Sequence, residues 1–354
     1  MERYEAFYPG KVWLDTDGKR IQAHGGSVIY IDGTYYWYGE NKEFTKPDND
    51  IWHWGVRCYS STDLYNWKDE GIIIPPEPDK PESSLHPSAC MDRPHIIYNR
   101  RTKKYVCWLK IMNKDQTQSE TVLTADSILG PYTLVKENIR PLGMSAGDFD
   151  LAVADDGKAY YYFERVHSET ICADLTDDYT DVTGYYSTHF THSGPPYVRE
   201  ATAHFMRKGK HYLLTSGTTG YLPNPSEVAV ADTWHGPYTV LGNPHVGDVS
   251  NTSFHSQISS VFKVEGKRDL YIACADRWKP DSMDTKYEDY AIVFEKMFSP
   301  DSREEMADLF KTMGESMNIK DDTSIADYVW LPIRFTDDGP KIEWIDSWKI
   351  EDYE

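Results

Sequence analysis

Basic residues are the first shortage. Lys and Arg number 37 against 57 Asp and Glu, a net charge of -20 over 354 residues. Such a chain repels polyanions, which excludes nucleic acid and an anionic membrane surface as partners and makes a neutral ligand the better fit. Cysteine is also sparse. The five, Cys58, Cys90, Cys107, Cys172 and Cys274, form no CxxC pair, so neither a disulfide framework nor a zinc site is suggested. Cys58, Cys107 and Cys274 lie in apolar strands and read as small buried hydrophobes. No DxDxDG calcium loop occurs and the 12 histidines are scattered, so no metal motif stands out. Met1 to Gly10 hold no apolar stretch of the length a signal peptide or membrane span requires, and the chain reads as cytoplasmic, or as a mature form whose leader has been removed.

Aromatic residues, by contrast, make up 14% of the chain, with 26 Tyr and 11 Trp. Most serve packing, while some have faces available to stack on sugar rings. Many fall in a phrase that returns five times: an apolar strand, a turn with glycine or basic residues, then an aromatic strand. The copies begin at Gly26 (GSVIYIDGTYYWYGE), Arg93, Asp150, Ala201 and Gln257. Their spacing is roughly 50 to 70 residues, longer than sheet-blade repeats of about 40 to 50 but compatible with four-stranded blades carrying long loops. Outer strand pairs follow, as in GVRCYSSTDLYNWKDEGIII and EVAVADTWHGPYTVL, each broken by a turn rich in Asp, Ser, Asn or Gly. The fold class is therefore all-β, a five-bladed β-propeller forming one domain over 1–354. The last blade is interrupted by an insertion at approximately 281–325, in which SPDSREEMADLFKTMGE predicts a helix. Ser299 or Asp301 would cap it, with Met306, Leu309 and Phe310 on one face. Polar residues at the axial ends of the five phrases are the place to look for chemistry.

Four groups of residues together resemble glycoside hydrolase family 43: SSTDLYNW at Ser60–Trp67; Gly147-Asp148 running into Asp155-Asp156-Gly157; Arg199-Glu200-Ala201; and Asp276-Arg277-Trp278 with Tyr328–Pro332. Ala23–Gly26, Asp92-Arg93-Pro94 and the Ser216–Asn224 stretch look most like its exo-β-1,3-galactanase and galactosidase branch. The resemblance implies an inverting, exo-acting glycosidase that takes oligosaccharides and releases a terminal galactose-type sugar. A β-galactofuranosidase, an α-L-arabinofuranosidase, a β-xylosidase and a non-catalytic carbohydrate-binding propeller remain alternatives.

Inversion needs a protonated carboxyl for the leaving oxygen and a base for water on the opposite face. Glu200, after the rigid Pro195-Pro196 entry, is the acid candidate, the other reading being a rim glutamate paired with Arg199. Asp148 matches the family carboxylate that raises the acid's pKa by its charge. Asp150, two residues on, shares its strand face, and is either a substrate ligand or a strand-end aspartate bonded to backbone N–H groups. Where most members have an aspartate base, the chain reads Gln22-Ala23-His24-Gly25-Gly26. His24 is open to three readings: a neutral base, a sugar-hydroxyl partner or a buried axial residue. In the galactanase-like branch a glutamine takes the base's place and Gln257 matches it, with His255 as its nearest rival and a backbone-satisfying role as the alternative. The resemblance further implies substrate contacts for Glu40, Asp92, Thr218 and Arg277, with a salt bridge between Asp92 and Arg93 as the competing reading. No cofactor is expected, although some relatives hold calcium or a water cluster on the axis beside a histidine, for which His204 and His211 are candidates. Chelator treatment is expected to leave activity within about twofold, and a tenfold loss restored by calcium would overturn that expectation.

Overall fold

In the computed structural model, which describes residues 3–299 and 321–354, five small antiparallel sheets form a ring. The innermost strands are His24–Ile31, Cys90–Asn99, Ala146–Val153, Glu200–Arg207 and Gln257–Lys263, one for each of blades I to V. Each contacts the innermost strand of the next blade, and the fifth returns to the first. Blades I to IV are simple meanders of consecutive strands. Blade V adds the two-residue strand His245–Val246, parallel to Gly339–Glu343.

The aromatic strands hold the blades together through their period-2 alternation. In Thr34–Glu40, Tyr35 and Trp37 pack toward blade V, while Tyr36 and Tyr38 face blade II. In Lys104–Met112, Val106 and Trp108 meet blade III, and Cys107, Leu109 and Ile111 turn back to blade I. The seam between blades V and I is sealed by the chain ends. Phe7 exchanges backbone hydrogen bonds with Trp348 at 2.9 and 3.2 Å, and its ring stacks on Trp348 at 4.2 Å. Trp13, Trp37, Trp67 and Trp330 complete that cluster.

The described helix is Glu288–Phe298, upstream of the one expected from the 299–315 phrase, whose Met306, Leu309 and Phe310 lie outside the described residues. Tyr290 is its buried residue, and its hydroxyl donates to the Pro223 carbonyl.

All five innermost strands start at the same mouth of the ring, and each carries a β-bulge there. The register slips between His24 and Ser27, Asp92 and His95, Ala146 and Phe149, Glu200 and Ala203, and Ile258 and Ser260. Bulges re-aim side chains. Gly25, Arg93 and Ala201 take φ of 61°, 53° and 50° within them.

Phe7→Ala should lower the free energy of unfolding by about 3–5 kcal/mol, the usual cost of deleting a buried ring. Tyr8→Ala, removing a neighbour that is 47% exposed, should stay within about 0.5 kcal/mol. Urea denaturation of both variants checks the contrast.

Candidate active site

The bulged mouth collects the starts of the inner strands and the ends of their partners, so that Glu40 lies opposite His24, Lys110 opposite Asp92, Ser216 opposite Glu200 and Asp276 opposite Gln257. Glu200, Asp148, Gln257, Glu40 and Asp92 come together here. Lys110 donates to Asp148 Oδ1 at 2.9 Å and lies 3.1 Å from Asp92 Oδ2. Arg93 Nη2 reaches Asp148 Oδ2 at 3.1 Å and donates to Gln257 Oε1 at 2.5 Å. Glu40 accepts from the Arg93 backbone N–H at 2.9 Å and is paired with Lys42 at 2.9 Å. Asp92 is held by the Trp52 indole at 2.8 Å and by Lys110, not by Arg93, because the left-handed turn at Arg93 swings its guanidinium toward blades III and V.

The electrostatics separate two carboxyls. Burial alone would raise Asp148, but Arg93 and Lys110 more than offset it and hold it down at about 2. Glu200 is pushed well above the usual carboxylate range by burial, then by the charges of Asp148 and Glu164, against the pull of Lys110 and Arg93. Arg199 does not pair with Glu200. Its guanidinium goes to the Thr215 hydroxyl and carbonyl, with Glu227 at 3.9 Å. Buried Glu164 lies against Gly147, where a Cβ would come 2.3 Å from its Oε2. A side chain at that position would have to displace the Glu164 carboxylate.

Gln257 is fixed in orientation. Its Oε1 accepts from Arg93 and from the Trp278 indole at 3.3 Å, both donor-only groups, so Nε2 faces Ser216 Oγ at 2.9 Å and Glu200 Oε1 at 3.4 Å. Both lone pairs of the carbonyl are engaged, and a water held by that oxygen needs one of the two contacts to open.

Other residues singled out in the sequence lie elsewhere. His24 is fully buried, with Nδ1 at 3.0 Å from Asp276 Oδ1, Nε2 at 3.2 Å from Gln22 Oε1, and its ring stacked on Tyr328 at 4.8 Å. That is the buried axial reading. Asp150 sits deeper along the axis, accepting from the backbone N–H groups of Leu151 and His204 at 2.7 and 2.6 Å and contacting His95 at 2.9 Å. His204 faces His211 at 3.1 Å. Imidazoles and one carboxylate already bonded to N–H groups do not match the six to eight oxygens calcium takes, so the residues on the axis do not fit that ion. Thr218 spends its hydroxyl on the Val198 carbonyl at 3.1 Å. Arg277 binds the carbonyls of Phe254, His255 and Gly10 at 3.0, 3.4 and 3.4 Å. It clamps a turn in which Ser253, Phe254 and His255 all have positive φ, of 55°, 58° and 55°.

Sequence reasoning missed Lys42, Lys110, Trp52 and Tyr221. Lysines two residues beyond Glu40 and opposite Asp92 become partners only once strand register is known. Trp52 and Trp278 flank Tyr221, with ring centroids at 6.0 and 5.1 Å. Below Tyr221 a cavity of about 10 Å³ touches His255, Gln257 and Asp276.

The family model for glycosyl hydrolases family 43 matches residues 20–286. Among solved structures, the chain is similar to a β-1,3-galactosidase of that family at 31% identity, covering 99% of this chain and 65% of that one, with a TM-score of 0.78. A second β-1,3-galactosidase, solved with galactodeoxynojirimycin, is 29% identical over 97% of this chain and 100% of its own, with a TM-score of 0.76. An exo-β-1,3-galactanase from Clostridium thermocellum is 25% identical over 97% of this chain and 66% of its own, with a TM-score of 0.74. The chain thus spans just under two thirds of the first structure's length. No curated protein matches it.

Asp148→Asn removes the charge that disfavours ionisation of Glu200 and frees Arg93 and Lys110 to favour it, so the Glu200 pKa should fall. The sign is then fixed for any activity that needs Glu200 protonated. The alkaline limb of the pH–rate profile should move to lower pH, and an unmoved or higher limb would contradict the coupling.

Proposed function

The chain belongs to glycosyl hydrolase family 43, and we propose that it is an exo-acting, inverting glycosidase that releases a terminal galactose-type sugar from oligosaccharides. One observation carries this reading. At the mouth of the ring a carboxyl kept protonated, Glu200, stands beside one kept ionised, Asp148, the division of labour that acid-assisted glycoside cleavage needs at neutral pH. The galactose preference is supported by the similarity to β-1,3-galactosidases. An exo mode is supported by the aromatic walls Trp52, Tyr221 and Trp278, which close one side of the site.

Glu200 delivers its proton to the glycosidic oxygen as the bond to the anomeric carbon breaks, and water attacks the opposite face of an oxocarbenium-like transition state. Gln257 Nε2–H, aimed at Oε1 of Glu200, makes that oxygen the acceptor and leaves the acidic proton on Oε2. The N–H groups that converge on Gln257 Oε1 offer no acceptor for the O–H of an imidic tautomer, so Gln257 acts by positioning. A second reading assigns the water to His255. Burial and Arg277 lower the pKa of its ring and so favour the neutral form, among the described residues its Nδ1 has no hydrogen-bond partner, and it borders the same small cavity.

Glu200→Gln should cost at least about 10²- to 10⁴-fold on β-1,3-galactobiose and much less on a nitrophenyl galactoside, whose leaving group needs no proton. Equal losses on both would place the acid elsewhere. Gln257→Ala should remove at least about 10²-fold in kcat with little change in KM. A Gln257→Ala enzyme within about threefold of wild type beside an inactive His255→Ala would transfer the water to the histidine. Turnover of arabinofuranoside, galactofuranoside or xyloside in place of galactoside would change the sugar, and sugar binding without any turnover would make the chain a binding module.

A further inference from the structure

Outside the mouth, one more set of side chains is arranged for proton transfer. It lies on Val182–His189, the outermost strand of blade III, separated from the inner strand Ala146–Val153 by two others, or roughly 14 Å at the usual strand spacing. Alternation puts Tyr185, Ser187 and His189 on one face of that strand. The neighbouring strand Glu169–Leu175 pairs with it in register except between Ala173 and Leu175. The irregularity falls on Asp174 and re-aims its side chain. His235 reaches the same place from blade IV, on the turn between Glu227–Ala231 and Thr239–Gly242. That turn is fixed. The Trp234 ring stacks on Tyr160 at 4.2 Å, its carbonyl accepts from the Tyr162 and Tyr238 hydroxyls at 2.8 and 3.1 Å, and the Thr233 hydroxyl donates to the Gly236 carbonyl at 2.6 Å.

Asp174 Oδ1 lies 2.7 Å from His235 Nε2, and His235 Nδ1 lies 2.8 Å from Ser187 Oγ. Ser187 Oγ is also 2.8 Å from His189 Nε2. The direction of each hydrogen bond follows from what each group can carry. A carboxylate only accepts, so a neutral His235 holds its hydrogen on Nε2 and presents a lone pair at Nδ1. The single hydroxyl hydrogen of Ser187 therefore goes to His235, and His189 Nε2–H donates to Oγ. Burial, and then His235, lower the His189 pKa to about 4 and favour its neutral form. Tyr185 and Tyr160 meet the His235 ring edge-on at 4.8 and 5.8 Å and confine it. Ser187 is half-buried, with the exposed Tyr185 beside it. The other nucleophile nearby, the Cys172 thiol opposite Ser187 in register, is fully buried, and burial pushes its pKa up.

A hydroxyl bonded to an imidazole that is itself oriented by a carboxylate is the arrangement of an activated nucleophile. The two ring nitrogens are exchanged relative to the usual order in serine hydrolases, but proton transfer needs only one nitrogen to accept from Oγ while the other is held by the carboxylate. We propose that Ser187 is a nucleophile for acyl transfer from small carboxylic esters, with His235 as its general base and Asp174 positioning that base. Oγ bonds to the ester carbonyl carbon as its proton passes to His235 Nδ1. The bond from that carbon to the alcohol oxygen breaks, and the departing oxygen takes the proton from Nδ1. Water then attacks the acylated serine and delivers a proton to Nδ1, and the carboxylic acid leaves as Oγ takes that proton back. No part of this reaction draws on Glu200 or on the glycosidase reading of the mouth.

4-Nitrophenyl acetate, whose leaving group departs readily, tests the step on the full folded chain. Nitrophenol release should exceed the buffer rate, and peptide mass spectrometry of acid-quenched samples should find the acetyl group on Ser187. Ser187→Ala should lower the protein-dependent rate by at least about 10²-fold and His235→Gln by the same order, the low end of what a general base contributes. Asp174→Asn, which lets His235 turn its hydrogen to Nδ1, should lose at least about tenfold. Urea denaturation of each variant reports whether it is folded, and Ser187→Ala, which removes a single oxygen, keeps the comparison if His235→Gln loses the fold. A Ser187→Ala rate equal to wild type, or acetyl groups carried by other residues alone, would overturn the proposal. So would acetylation of Ser187 at the native rate in the urea-unfolded chain, because that is the reactivity of any serine.

Discussion

The mouth of the ring depends on Arg93. Its backbone N–H binds Glu40 of blade I, and its guanidinium binds Asp148 of blade III and Gln257 of blade V, so one residue of blade II ties four of the five blades at the site. A buried guanidinium is tolerable only when its charge and its donors are met, and here its partners are candidate catalytic residues. The link to Asp148 keeps that carboxylate ionised, which in turn helps keep Glu200 protonated. The link to Gln257 fixes the amide so that its N–H faces the acid. Loss of Arg93 would leave Asp148 and Gln257 to reorient together, and electrostatics and geometry would fail as one.

The bulges make that arrangement possible. In a regular strand Arg93 would direct its side chain by simple alternation, and Asp92 and Arg93 would point to opposite faces. The extra residue and left-handed φ at Arg93 and Ala201 break the alternation at the mouth, so that neighbours such as Asp92 and Arg93 both serve the site. Positive φ at a non-glycine residue costs of order 1 to 3 kcal/mol and persists only where surroundings over-determine it. Glu40 on the Arg93 N–H is one such constraint, and the hydrogen bond from Ala201 to Asp148 is another.

This explains what was legible in the sequence. The propeller could be read because its signal is local: each inner hairpin repeats apolar and aromatic residues at the strand period, and the candidate residues Asp148, Glu200 and Gln257 stand at or just before the starts of those phrases. Their partners could not be read. Lys110 lies 18 residues from Asp92 in the chain and faces it only through strand register, and the turn of Arg93 away from its sequence neighbour Asp92 depends on a bulge that leaves no compositional mark. His24 and Arg277 carry polar groups in family-like phrases, yet their hydrogen bonds go to Asp276 and to backbone carbonyls. Sequence identifies a donor but not the acceptor the fold supplies. Tyr221 was one aromatic among many until its contacts with Trp52 and Trp278 set it apart.

The missing aspartate of the first inner strand has a counterpart in how the remaining carboxylates are used. Asp148 is held by Arg93 and Lys110, Asp92 by Lys110 and Trp52, Glu40 by Lys42 and the Arg93 N–H, and Asp276 by His24 and the Gly25 N–H. For Asp148 the two cations more than offset burial and lower its appetite for a proton, whereas burial pushes Glu40 up to about 7 against the pull of Lys42. Asp148, so engaged, is a poor base. Glu200, whose side-chain hydrogen-bond partner among the described residues is the neutral Gln257 amide, is pushed well above the usual carboxylate range, as the proposed acid requires. With Glu200 as the proposed acid and no aspartate at the start of the first inner strand, such a site would suit glycosides whose bond breaking runs ahead of nucleophilic attack, because an oxocarbenium-like transition state asks much of the departing oxygen's proton donor and little of the water.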